Sequence, residues 1–154
     1  MKKIFFILIS GLFSLTVTAQ TNKISSSRTL EEKLNENYCS DLFRSADGTI
    51  LDVASSNSAR AYLNILDWLE GRVSGYQVYT SQTGTTVPLI RGSVPTVYLD
   101  EIPISLNTLS IINSNDIAMI KVIKGPFIGN AGNGIGAIAI YTFDNEEDIE
   151  HETE

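Results

Sequence analysis

From residue 76 onward, the chain falls into short β-rich runs separated by polar turns or by Gly, Asn or Asp. Runs that short suit strands joined by turns, because a helix needs a longer apolar period to bury one face. Tyr76-Gln77-Val78-Tyr79 alternates, 80–86 is a polar turn, and Val87 to Arg91 is another short strand ending at Gly92. Thr96 to Leu99 and Ile102-Pro103-Ile104 flank an acidic turn at Asp100-Glu101. Pro103 lacks an N–H to donate and therefore suits an edge strand. Residues 106–112 suit a short helix and 113–116 a turn. Ala118 to Lys124 alternates, with Met119, Lys121 and Ile123 on one face and Ile120 and Val122 on the other. Gly136 to Thr142 forms a last β-rich run, and Gly48 to Val53 suits a short strand upstream. The spacing predicts an α+β domain with a short mixed sheet and two or three short helices.

The longest helical period lies just before these strands. Asn57 or Ser58 can cap a helix in which Tyr62, Ile65, Leu66 and Leu69 fall on one stripe. Leu63 and Trp68 widen the stripe, Arg60, Asn64, Asp67 and Glu70 take the other side, and Gly71 suits a left-handed terminator. The expectation is one helix over 59–70, with an apolar stripe that belongs to the core.

The chain of 154 residues divides further by composition. Lys2 and Lys3 precede an apolar run from Ile4 to Val17, and Val17-Thr18-Ala19 ends in a small residue. That is the layout of a secretory signal peptide over 1–19, cleaved after Ala19; about 14 apolar residues fall short of the roughly 20 that span a bilayer. Residues 20–45 read as a polar linker with a short helix near Leu30 to Leu34, 46–143 as the domain, and 144–154 as an acidic tail. The formal charge is −7, but seven of the eighteen acidic residues lie in the last eleven positions. The body from 20 to 143 carries nine basic against eleven acidic residues, near neutrality. Neither balance suits nucleic acid, whose phosphates require a basic surface.

Catalytic vocabulary is sparse. One Cys and one His cannot build a four-ligand zinc site or a disulfide framework. His151 lies in the acidic tail, which leaves a serine triad without a buried base. Asp100 and Glu101 are adjacent, so they read as turn residues and not as an acid/base pair. Gly132 to Ala137 matches G-x-G-x-x-A, but a dinucleotide site needs a helix after the glycines to hold the pyrophosphate, and a strand-like run follows. Its glycines instead permit positive φ and close backbone approach. No cofactor, metal or catalytic residue is expected.

The order of five blocks carries a resemblance. LDWLEGRVSGYQV, PLIRG, PTVYLDEIPI, NSNDIAMIKVIKGP and GNGIGAIAIYT together resemble the plug domain of TonB-dependent outer-membrane receptors, nearest the SusC-like branch, over about 59–143. Arg91-Gly92 stands for the family's RG step and Tyr98-Leu99-Asp100 for its Y-V-D strand end. Asp116-Ile117, Ile120, Val122 and Lys124-Gly125-Pro126 stand for D-I-E-x-I-E-V-L-K-G-P, and Gly134 to Thr142 for the closing strand. Two departures are plain. Glu101 replaces the Gly of D-G-x-P, which disfavours a positive-φ turn there. Ala118 and Lys121 replace the two acids of E-x-I-E.

The resemblance implies a small α+β domain that occludes a 22-stranded barrel until TonB draws on an N-terminal segment. Residues 20–37 carry no recognisable TonB-contact box. Twenty-two strands of about 10 residues need more than 200 residues, and eleven residues follow Phe143. The expectation is therefore an exported, non-enzymatic, stand-alone plug-like module that binds protein or ligand in the periplasm or at the periplasmic face of the outer membrane. Its partners would be an outer-membrane β-barrel, another envelope protein or the TonB system. The alternative is a truncated remnant of a nutrient receptor with no role of its own. Recognition is expected from loops at one end of the sheet, 80–86, 92–95 and 127–135. The candidate residues are Arg91, Gly92, Ser93, Asp100, Gly125, Pro126, Asn130, Asn133 and Gly134.

Overall fold

The computed structural model describes residues 30–109, 111–127 and 136–143. The expected leader and acidic tail, with Asn130, Asn133 and Gly134, lie outside the described residues. The chain divides into two units, Met1–Lys33 and Leu34–Glu154. In the first, the described residues 30–33 are helical.

The second unit is built on a five-stranded mixed sheet. Its strands are β1 (Thr49–Asp52), β4 (Thr96–Leu99), β5 (Ile102–Ile104), β6 (Ile117–Ile123) and β7 (Ala137–Thr142), in the order β1-β6-β7-β4-β5. β7 pairs antiparallel with β6 and parallel with β4. A separate hairpin joins β2 (Tyr76–Thr80) to β3 (Thr86–Ile90). Pro103 lies on the edge strand β5, where its missing N–H leaves no ladder bond unmade.

Both faces of the central strands are covered, so alternation sorts residues between two apolar layers. One layer takes Ile120, Val122, Ile138, Ile140 and Val97 and packs against Ile65, Leu66, Trp68 and Leu69. The other takes Met119, Ile123, Ala137, Ala139, Tyr141 and Tyr98 and packs against Cys39, Phe43 and Phe127. Phe43 lies edge-on to Tyr98 at 5.1 Å and against Phe127 at 4.7 Å between ring centroids, over a face where Ala137 and Ala139 are small. A β-bulge at Ala118 breaks the register between Ile117 and Met119. The extra residue shifts the phase, so Ile117 joins Ile120 and Val122 in the first layer. The Ala118 carbonyl accepts from both Val53 and Ala54 N–H at 3.0 Å.

The expected 59–70 helix is broken. A 3₁₀ turn covers Ala59–Ala61, Tyr62 and Asn64 are extended, and the α-helix is Ile65–Leu69. Asn64 is the cap, its side-chain oxygen accepting from Leu66 N–H at 3.0 Å. Ser58 makes no capping bond; its hydroxyl accepts from Trp68 Nε1 at 3.0 Å instead. Tyr62 and Leu63 are therefore exposed rather than part of the stripe. The helix ends where Gly71 turns to φ 76°, as its position suggested. Upstream, residues 34–45 pack as part of the domain and not as a linker: Asp41–Ser45 is helical, and Cys39 and Phe43 are buried.

Candidate functional site

The antiparallel β1–β6 pair and the start of β7 bring three chain segments to one end of the sheet. There a cleft of about 520 Å³ is lined by Asp47, Gly48 and Thr49, by Arg91, and by Ile123 to Pro126. Arg91 is presented by a two-residue turn. Ile90 and Ser93 exchange backbone bonds of 2.8 and 3.1 Å, and Arg91 and Gly92 between them adopt φ 50° and 82°. The Arg91 N–H is held by the Gly75 carbonyl at 2.9 Å, leaving the side chain exposed. Lys124 follows β6 directly. The cleft is thus lined by two cations and one carboxylate, Asp47, a lining that can hold a polar or anionic group.

Gly136 marks the same end. Its φ is 118°, and a Cβ there would sit 2.6 Å from the Ile123 carbonyl oxygen. No other residue allows β6 and β7 to approach so closely. A strand follows it, so the G-x-G-x-x-A match has no helix terminus for a pyrophosphate.

Asp100 lies at the opposite end, in the β4–β5 turn. Both Asp100 and Glu101 adopt positive φ, 45° and 68°. The replacement of Gly by Glu therefore does not abolish the turn, contrary to the sequence expectation. A non-glycine residue in this region costs about 1–3 kcal/mol, and the carboxylates explain why it persists. Asp100 accepts from Thr142 N and Oγ1, each at 2.9 Å. Glu101 Oε1 accepts from Ser40 N at 2.7 Å and Tyr141 OH at 3.1 Å, and its Oε2 from Ser40 Oγ. A smaller cavity of about 230 Å³ lies beside these groups. Each carboxylate has its own partners, and the two do not form an acid/base couple.

The structure thus brings Arg91, Gly92 and Ser93 to the same end as Gly125 and Pro126, and separates Asp100 from them. It also separates the loop at 80–86. The β2–β3 hairpin puts that turn and Arg91 at opposite ends, five residues of β3 apart, about 17 Å at strand rise. Asp47 and Lys124, outside the candidate residues, also line the cleft. Lys124 opens the K-G-P step, whereas Asp47 carries no signal of its own in the sequence.

One cation is buried although its position in the β6 alternation gives no sign of it. Lys121 is 1% exposed, and Nζ donates to Asn35 Oδ1 at 2.7 Å, to the Phe43 carbonyl at 2.6 Å and to the Arg44 carbonyl at 3.4 Å. Burial lowers its pKa from the ordinary lysine value, and burial likewise pushes the Cys39 thiol up. Among the described residues there is no cluster of His, Cys, Asp and Glu that could hold a metal ion, and no helix long and apolar enough to cross a membrane.

The TonB-dependent receptor plug domain family matches residues 44–138, more than half of the chain, and the chain belongs to that family. Plug domains are parts of outer-membrane transport receptors, not enzymes. The fold is similar to that of the RagAB peptide importer in its open-open state, with a TM-score of 0.53 and 25% identity over 64% of this chain and 12% of that one. The siderophore receptor PirA from Acinetobacter baumannii gives 0.51 with 19% identity, over 63% of this chain and 17% of that one. A variant of the ferric enterobactin receptor PfeA from Pseudomonas aeruginosa gives 0.50 with 18% identity, over 65% and 18%. The chain therefore spans less than a fifth of the length of these receptors, and at 18–19% identity the last two show the fold alone. No curated protein matches the chain.

Proposed function

We propose that the chain is an exported recognition module of TonB-dependent outer-membrane transport, acting at the periplasmic side by binding and not by catalysis. The observation that carries this reading is membership of the plug family over 44–138. The cleft lined by Arg91, Lys124, Gly125, Pro126 and Asp47 supports it with a group of charges at one end of the sheet. Its partner is an outer-membrane β-barrel, another envelope protein or a component of the TonB system. Mild crosslinking of the full chain in envelope extracts tests the reading. A discrete adduct with an envelope protein is the expected outcome, and recovery of monomer alone refutes it.

A further inference from the structure

Residues 34–45 cross the second face of the sheet, and two charged side chains of the sheet layer hold them there. Lys121, in the middle of β6, donates to Asn35, Phe43 and Arg44. Glu101, in the β4–β5 turn, accepts from the Ser40 N–H and hydroxyl. The segment is also tied to itself. Arg44 donates from Nε and Nη2 to the Cys39 carbonyl at 3.1 and 2.8 Å, Asn35 Nδ2 donates to the Arg44 carbonyl at 3.1 Å, and Cys39 N–H donates to the Asn35 carbonyl at 3.2 Å. It contributes no strand to the sheet, and its buried side chains are Cys39 and Phe43. Almost all of it precedes the stretch matched by the family, 44–138.

We propose that residues 34–45 form a releasable strap that lifts from the sheet as one unit while the five strands stay folded. Internal bonding makes the segment cooperative. Attachment through a few polar bonds, the two buried side chains and the part-buried Leu34 and Tyr38, with no strand pairing, makes it weaker than the sheet, and weakly attached units open first. Release uncovers the aromatic face of Tyr98, Phe127 and Tyr141, so the strap controls whether that face is available for contact.

The sole cysteine, Cys39, lies in the strap and is 2% exposed, so its labelling by a disulfide reagent reports opening. Glu101→Gly removes the Ser40 acceptors and at the same time relieves the positive φ at 101. It also removes an acceptor of the Tyr141 hydroxyl, so it should raise the Cys39 labelling rate of the folded full chain at least tenfold while the urea midpoint read from Trp68 moves little, the relieved φ at 101 offsetting that lost bond. Asn35→Ala, which leaves the sheet intact, should speed labelling severalfold with the midpoint unchanged. Labelling that keeps the wild-type rate in either variant, or that rises only in step with a fall in the whole-domain midpoint, overturns the proposal.

Discussion

Truncating Leu66 tests the placement of the larger core. The side chain is 0% exposed and packs with Ile65, Trp68 and Leu69 against the first face of the sheet. Its carbonyl accepts a 3.0 Å bond from the Tyr76 hydroxyl, but that is a main-chain group and survives the change. Leu66→Ala therefore removes apolar contact alone, and a leucine cut from a tight core costs about 2–5 kcal/mol. At about 3 kcal/mol, the thermal midpoint of a domain this size falls by about 10–20 °C. Leu63→Ala is the control, because Leu63 is 98% exposed and should change stability by less than about 0.5 kcal/mol. Urea unfolding followed by the fluorescence of the single tryptophan, Trp68, separates the two. The midpoint should move for Leu66→Ala with little change in slope. A loss below about 1 kcal/mol for Leu66→Ala, or equal losses for the two variants, refutes the assignment of the buried face.

Gly136→Ala should cost more than about 1 kcal/mol, since its Cβ would meet the Ile123 carbonyl at 2.6 Å in a positive-φ residue; a neutral result in urea unfolding contradicts the close approach of β6 and β7. Burial holds the phenols of Tyr76, Tyr98 and Tyr141 above their ordinary value near 10. Because their folded pKa exceeds the unfolded one, their contribution to stability is intact below about pH 10 and is lost as pH climbs above it. Lys121 acts in the opposite sense, its lowered pKa letting stability rise with pH until the unfolded amine also loses its proton near 10.4. Tyrosinate absorbance from the three buried phenols should appear together with loss of the Trp68 near-ultraviolet signal; ionisation ahead of unfolding counts against their burial. Arg91→Glu should cut the yield of envelope crosslinks severalfold while changing stability by less than about 0.5 kcal/mol, as befits an exposed side chain; an unchanged yield removes Arg91 from the recognition surface.

The strands were the most legible elements, because alternation and their Gly, Pro and Asp boundaries are local properties. β6 shows where local reading stops. Met119 and Ile123 fall on one face and Ile120 and Val122 on the other, as alternation requires, yet the bulge at Ala118 that reassigns Ile117 has no marker in the sequence. The helix is shorter than its apolar pattern because Tyr62 and Leu63 sustain a period that the extended backbone at Tyr62 and Asn64 does not use. Residues 34–45 are mostly polar, which conceals two buried side chains whose partners lie far along the chain. Lys121 and Asn35, 86 residues apart, meet through tertiary packing that no local pattern encodes. At the candidate site, the RG and K-G-P steps were visible as motifs, whereas the opposite placement of Asp100 follows only from the direction of β4.

The position of β7 bears on how the chain acquires this fold. The strand lies at the centre of the sheet, pairs with both β6 and β4, and supplies side chains to both apolar layers, yet it is the last described strand to be synthesised. Its parallel ladder joins Val97 to Ile138 across an intervening stretch that includes β5 and β6, and the entropy of closing so distant a contact must be met before the pairing stabilises anything. Folding should therefore wait on insertion of β7. Until that strand is in place, β4 and β6 each present an open edge to any other extended chain, and the unfinished domain is at its most prone to aggregate.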